Sequence, residues 1–456
     1  MKHSKNSIHF CWASSPFNSY IEYVLDFILH HPLTPTDMEW HFNSDIVEKP
    51  TCTIFYGENT RMLANHNFQI PRQNLLFSSN IYSSSDLRAN GYQYKNYTLW
   101  SVEKAIPEFA QFIDNQRFNF DIIEMLFYHI SRYEEYHAPA SERDWNDELP
   151  SNKHFLVKNQ LHHQPVVDHL IYCFWKSLGF NPPLKATCFR MTHDIDVLRK
   201  YPNIYTSIRA VASAAWHERS VQAVKEVLKS WYETTVSKKT DPYDSFAWLL
   251  TEKPIEKVIY FMAGGQTRYD NFYEIDAPET QKIIEKAKAA GYEIGLHPSY
   301  NCYLDEQLFL AEKQKLEKVV EQKISHLRMH YLRFRFTKTL QIIEACGMHH
   351  DSTMGYNDRM GFRCGTGFAY RLFDFEHRRP GTIWETPMIV MDGGLLNEVN
   401  YQVETAKILL EDFLKKNQYL TKITFNFHNS IFNPARVDDR ALRAFYLALI
   451  GRISSR

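Results

Sequence analysis

Nothing in the 456 residues approaches the roughly 18 consecutive apolar positions that a membrane-spanning helix needs. Behind the basic start, Met1-Lys2-His3-Ser4-Lys5, the polar residues His9, Ser14, Ser15, Asn18 and Ser19 break up any apolar segment, so a secretory signal is not expected. Neither charge is in excess: the net charge is −1, and no long run carries one sign. Non-specific nucleic-acid binding, which needs a basic field, is thereby disfavoured, while a small anionic substrate is not. There is no CxxC pair. The seven cysteines (Cys11, Cys52, Cys173, Cys188, Cys302, Cys346, Cys364) are scattered and odd in number, and read as reduced, mostly buried thiols of a cytoplasmic protein.

What is present is the composition of a globular protein, with 44% hydrophobic and 23% charged residues. A chain of this length is expected to hold two domains. The 15% of aromatic residues suits a well-filled core before it suits stacking on sugars or bases. Asn181-Pro182-Pro183 is the clearest linker signal, which sets an N-terminal domain of residues 1–180 apart from residues 185–456. In the first part, Tyr20–His30 has helical periodicity, and Thr51–Tyr56 and Leu75–Ser78 look like short strands. Asp121–Tyr136 reads as one helix with its charged cluster, Arg132 to Glu135, at a solvated or salt-bridged end.

After Pro183 strands and helices alternate. Strands are expected at Arg190–Leu198, Lys257–Ala263, Tyr292–Leu296, Ile324–Arg328 and Thr421–Phe427, and another ends at Glu385. Helices are expected over residues 204–236, Thr280–Ala290, Asp305–Gln322, Thr337–Cys346 and Val403–Lys416. This rhythm argues for a parallel sheet or barrel with helices outside. In such folds chemistry gathers at the C-terminal ends of the strands. Those ends supply Asp194 and Asp196, His297, Arg328 with His330, Asp351, and His428. Asp194 and Asp196 share a strand face, and the repulsion between them is relieved by a bound cation or a proton.

Together these motifs resemble the polysaccharide deacetylases of the NodB-homology type, a group of carbohydrate esterases. His193-Asp194-Ile195-Asp196 is similar to the family's aspartate pair. His297-Pro298-Ser299-Tyr300-Asn301 is similar to its histidine pair, with Asn301 where the second histidine is expected. Arg328-Met329-His330-Tyr331 looks like its Arg-x-Pro-Tyr motif, with His330 in place of proline. Phe425-Asn426-Phe427-His428 is similar to its final histidine motif. The likeness covers roughly residues 185–430. The stretches Gly295–Tyr300 and Gly361–Thr366 also look like a bacterial subgroup with an extra N-terminal domain of unknown role.

The resemblance implies a distorted (β/α)7 barrel preceded by a smaller α/β or α+β domain. It implies a metal-dependent hydrolase that removes an N- or O-acyl group from a carbohydrate. Asp194 would be the general base and His428 the general acid, Arg328 would hold Asp194 ionised, and Tyr331 would steady the oxyanion. A divalent metal, zinc first, would be held by Asp196, His297 and either Asn301 or His330. Tyr300, Arg363 and Trp384 are the candidate substrate contacts. Two other classes stay open: a non-catalytic glycan-binding module, for which Asn301 speaks, and a haloacid-dehalogenase-type phosphatase, for which Asp194-Ile195-Asp196-Val197 speaks. His193 is expected to point to the opposite strand face, into the core. The doublets His162-His163 and His349-His350 are expected to face apart.

Overall fold

The computed structural model describes residues 6–36, 38–42, 50–57, 67–72, 74, 76–77, 113–202, 207–208, 211–212, 221–265, 267–270, 273–433 and 437–455. Of the expected strand Leu75–Ser78, the described residues Leu76 and Phe77 form a bend rather than a strand, and most of the first half of the expected helix over 204–236 lies outside the described residues. The chain divides into two compact units. The first holds Met1–Thr187 with Cys364–Thr382 and Lys415–Thr421, and the second holds the rest.

In the first unit, β1 (Asn6–Trp12), β2 (Met38–Phe42), β3 (Cys52–Tyr56), β4 (Asn67–Ile70), β5 (Ile113–Asp114) and β6 (Arg117–Phe118) form a sheet in the order β2-β1-β3-β4-β6-β5. All neighbours but the β5–β6 pair run parallel. Helix Asn18–His30 forms where periodicity places it, and Val166–Ser177 is a further helix. The single helix expected over Asp121–Tyr136 is two, Ile122–Ile130 and Tyr133–Tyr136. Arg132 breaks it with a left-handed backbone (φ 57°), and its guanidinium is wholly buried. It donates from Nε to Glu135 Oε1 (2.9 Å) and lies 3.3 Å from Glu134 Oε1. A buried cation with its own acceptors outweighs the local preference to continue the helix.

The second unit is built on parallel strands. β7 (Cys188–Ile195), β8 (Glu256–Phe261), β9 (Glu293–Leu296), β10 (His326–Leu327) and β11 (His350–Asp351) follow in sequence. β12 (Tyr370–Asp374) lies in the first unit, and β13 (Arg379–Glu385) runs on into the second. β14 (Val390–Met391) and β15 (Lys422–Asn426) complete the set. The order through the second unit is β13-β11-β10-β9-β8-β7-β15-β14. Each of these seven neighbouring pairs is parallel. The helices Pro278–Ala289, Glu306–Val320, Thr339–Ala345 and Val403–Lys416 stand where the sequence places them. Asp305 caps the second, its side chain accepting from the Leu308 amide. The result is a mixed α/β architecture with a βα rhythm. Among the described residues the hydrogen-bonded order has two ends, β12 and β14, so closure into a barrel is not shown. A core of Met191, Ile423, Phe425, Val390, Leu410 and Tyr446 packs one side of β7 and β15. Burial of each large apolar side chain there contributes roughly 1.5–3 kcal/mol.

Two acids sit in register at the ends of β11 and β13, Asp351 opposite Glu385, and both are buried. Asp351 Oδ2 and Glu385 Oε2 have no hydrogen-bond partner. Burial raises the Asp351 carboxyl to about 6. Burial raises Glu385 further, with the Asp351 charge adding to it. An unfolded chain ionises such acids near pH 4. The folded state therefore holds more protons above that pH, and stability falls as pH rises through the folded values. Glu385→Gln should remove on the order of 1–3 kcal/mol of the loss between pH 5 and pH 8. Urea titrations at both pH values check this; equal losses in variant and parent would take the pair out of the pH dependence.

Candidate active site

Strand alternation aims Thr192 and Asp194 of β7 at one side, and register places Asn426 of β15 beside Thr192 and Tyr260 of β8 beside Asp194. Into this corner reaches Arg328, from the residue after β10, with no exposure to water. Its guanidinium donates to Asp194 Oδ1 (2.9 Å), Thr192 Oγ1 (2.9 Å), Asn426 Oδ1 (2.7 Å), Ser352 O (2.8 Å) and Ser352 Oγ (2.9 Å). It also lies 4.7 Å from the centroid of the Tyr260 ring. The other oxygen of Asp194 accepts from Asn426 Nδ2 (2.8 Å). Burial alone would push the Asp194 carboxyl up; Arg328, His297 and His428 outweigh it and leave it below its usual value.

Gly295 of β9 is what lets Tyr260 lie there. A Cβ at position 295 would stand 2.4 Å from Tyr260 Cδ1 and 2.6 Å from Cε1.

Asp196 lies just past the strand end, its side chain 30% exposed, and it faces three imidazoles. Oδ1 is 3.2 Å from His297 Nε2 and 3.9 Å from His330 Nε2, and Oδ2 is 3.8 Å from His428 Nε2. Burial pushes the Asp196 carboxyl up, but His297, His428 and His330 hold it well below the ordinary range. Ligand atoms of Asp196, His297 and His330 all lie within 4.8 Å of one another. His297 Nδ1 is engaged with the Arg328 carbonyl (2.6 Å), which turns Nε2 toward Asp196. His330 has Nδ1 3.8 Å from Asp270 Oδ1 and likewise turns Nε2 inward. Burial holds its pKa below the ordinary histidine value. Among the described residues the buried Asp196 Oδ1 has no partner in hydrogen-bond geometry, His297 Nε2 at 3.2 Å being the nearest imidazole nitrogen. An orphaned carboxylate oxygen between two imidazoles, in a set of one acid and two histidines, fits a divalent ion such as zinc.

Asn301 is exposed, in the turn that follows His297, with its carbonyl accepting from the Leu304 amide. The nitrogen beside Asp196 and His297 is that of His330 instead.

His428 follows β15. Nδ1 meets Asp392 Oδ1 (2.8 Å), its amide donates to Asp392 Oδ2 (2.6 Å), and Nε2 is 3.8 Å from Asp194 Oδ2. Burial would lower the His428 pKa; Asp392, then Asp196 and Asp194, raise it to about 10. Tyr331, left-handed at φ 57° and half-buried, stands edge-on to Tyr269 (5.6 Å) and Tyr300 (5.6 Å). Tyr300 itself is nearly buried, stacked 4.4 Å from Tyr269 with the Arg333 guanidinium 3.8 Å from its ring centroid. Arg363 is buried and donates to the Gly355 carbonyl (2.7 Å). Trp384 is 39% exposed, in register with His350 and one row short of the strand ends.

His193 is buried between the Phe427 carbonyl (2.8 Å) and the Tyr292 hydroxyl (3.2 Å), and burial lowers its pKa to about 4. The rings of His162 and His163 lie 4.3 Å apart; they sit in a turn, so strand alternation does not separate them.

Sequence reasoning missed Asp392, Asp270 and Asn426 as members of this site. Asn426 had a signal, a polar residue on the inward face of an apolar strand two places before His428. Asp392 follows the apolar run Met388–Met391, which is the strand-end pattern that singled out the other groups.

Residues 11–182 match the model of a family of unknown function, DUF7033. No curated protein matches the chain. Among solved structures it is similar to a Mycobacterium smegmatis protein assigned to the polysaccharide deacetylases (16% identity, 60% of this chain, 91% of that one, TM-score 0.34). It is also similar to one so assigned from Pseudomonas aeruginosa PAO1 (14%, 62% and 96%, TM-score 0.33). A GH57 branching enzyme from Thermococcus kodakaraensis overlaps to a like degree (9%, 59% and 68%, TM-score 0.30). Overlaps this loose carry no functional weight; the side chains have to.

In chelator-treated protein, Asp392→Asn should bring the His428 pKa down by more than one unit, read by NMR titration of the ring. The folded pKa lies above the usual 6.5, so this pairing stabilises fully below pH 6.5 and its contribution is lost as pH rises to about 10. The variant should thus lose roughly 1–3 kcal/mol at pH 6 and progressively less toward pH 10. An unchanged titration would show that Asp392 does not set the charge of His428.

Proposed function

We propose that residues 185–456 form a metal-dependent hydrolase that removes an acetyl or similar acyl group from a carbohydrate, on a (β/α)7-type barrel. Residues 1–180 would be an accessory domain. The observation that carries this reading is the unsatisfied Asp196 Oδ1 between the Nε2 atoms of His297 and His330, beside an Asp194 already paired with Arg328. Asp196, His297 and His330 would hold the ion, zinc first, which when bound supplies polarisation of the acyl carbonyl and a lower pKa for water.

The other groups divide the proton work. Asp194, kept ionised by Arg328, takes the proton of the attacking water as general base. His428, held protonated by Asp392, returns a proton to the leaving amine or alkoxide as general acid. A base and an acid with opposed pKa shifts, facing each other 3.8 Å apart, are what hydrolysis of an amide or ester requires. Tyr331 is placed to steady the oxyanion, and its half-buried ring with that of Tyr269 offers the sugar an aromatic wall. Tyr300 and Arg363 act at one remove, beneath that wall and in the Gly355 loop. His330 beside Asp196 and His297 supports the hydrolase reading over the glycan-binder one, for which Asn301 speaks.

Elemental analysis of the purified protein should find about one zinc or other transition metal per chain. The metal should be lost in Asp196→Ala, held more weakly in His330→Ala and kept in Asn301→Ala. Asp194→Asn should abolish release of acetate from acetylated sugars, at least about 1,000-fold, with the metal still bound. No metal after zinc is added back would overturn the hydrolase reading, and retained turnover in Asp194→Asn would remove Asp194 from the base role.

A further inference from the structure

The loop after β8 delivers a second buried acid to the cluster. Asp270 is buried, and its two oxygens are aimed by the backbone: Oδ1 accepts from the Tyr300 amide (2.8 Å) and Oδ2 from the Thr267 amide (2.7 Å). Gly265 makes room for it. At φ 118° that position disfavours a side chain, and a Cβ there would stand 2.4 Å from Asp270 Cβ and 2.5 Å from Cγ. So held, Oδ1 points at His330 Nδ1 from 3.8 Å, and that nitrogen is buried and has no hydrogen-bond partner. His297 has its equivalent nitrogen fixed by the Arg328 carbonyl. Among the described residues, His330 has only Asp270 in that place.

We propose that Asp270 is the positioning residue for His330: its carboxylate accepts a hydrogen bond from Nδ1–H, fixes the tautomer with the lone pair on Nε2, and aims that lone pair at the ion shared with Asp196 and His297. A closure of about 1 Å turns the 3.8 Å contact into a hydrogen bond. This rests on the metal reading above and goes beyond it, because it names a residue that touches neither ion nor substrate and sets how tightly the ion is held. A carboxylate on a ligating imidazole also makes that imidazole a stronger donor, an effect worth roughly 10–100-fold in affinity.

A purely structural role competes with this, since Asp270 also ties down Tyr300 and Thr267. A double-mutant cycle separates the two. Cobalt and zinc affinities of the full chain would be measured by competition with a chromophoric chelator, for the parent, Asp270→Asn, His330→Ala and the double variant. Asp270→Asn should bind the ion roughly 10–100-fold more weakly, with the cobalt visible spectrum retaining a tetrahedral form. In the His330→Ala background the same change should have no further effect. Should Asp270→Asn fail to fold, Asp270→Ser, which keeps an acceptor for the Thr267 amide, should show the same weakening. Equal affinity in parent and Asp270→Asn, with the parent loaded, would overturn the inference and leave the metal site standing. So would an equal penalty with and without His330, or a loss as complete as that of Asp196→Ala. A parent that binds no ion would sink both.

Discussion

A fully buried guanidinium is the constraint on which the second unit depends. Stripped of water, Arg328 would cost several kcal/mol, and its place is tenable only because each direction in which it donates meets an acceptor. Those acceptors come from β7, from β15 and from the turn after β11, so all three must arrive in one register. Tyr260 closes the remaining side with its ring face, and it can do so only because β9 carries no side chain at Gly295. The packing of four strands and the turn after a fifth is thus tied to one charge. The same charge fixes the ionisation of Asp194. A group that would be unremarkable on a surface here joins the stability of the sheet to the chemistry at its mouth.

Much of this was legible in the sequence because parallel α/β architecture converts a one-dimensional pattern into a place. An apolar strand followed by a polar residue puts that residue at the C-terminal edge, and Asp194, Asp196, His297, Arg328 and His428 all come to the same corner by that rule. Arg328 meets Asp194 as expected. The role of position 330 was harder to read. Spacing along a helix turn favoured Asn301 as partner to His297, yet the chain turns out to solvent there, and the neighbouring strand supplies the imidazole instead. Contacts between successive βα units are not written in any local window.

The groups that escaped notice fail the rule in the same way. Asp270 sits mid-loop, where neither period nor strand end marks it, and its significance lies in two amides and one imidazole that fold back onto it. Asp392 does end an apolar run, Met388–Met391, but the strand in it is only two residues long. In the first unit the break at Arg132 is decided by Glu134 and Glu135 around a buried cation, a tertiary effect that helical propensity over Asp121–Tyr136 does not contain.

The origin of the two imidazoles has a topological consequence. A pair of ligands on one helix turn makes a site that a short peptide could nearly form. His297 and His330 instead stand at the ends of β9 and β10, with the helix Glu306–Val320 between them, and Asp196 comes from the far side of β8. An ion gripping all three would close two large chain loops at once. The unfolded chain would meet most of the entropic cost of that closure, and the folded sheet has already met it. Such an ion would behave as a rivet across consecutive βα units: affinity would become a gauge of whether three strands are seated together, and a disturbance of their stacking would be felt in the grip on the metal.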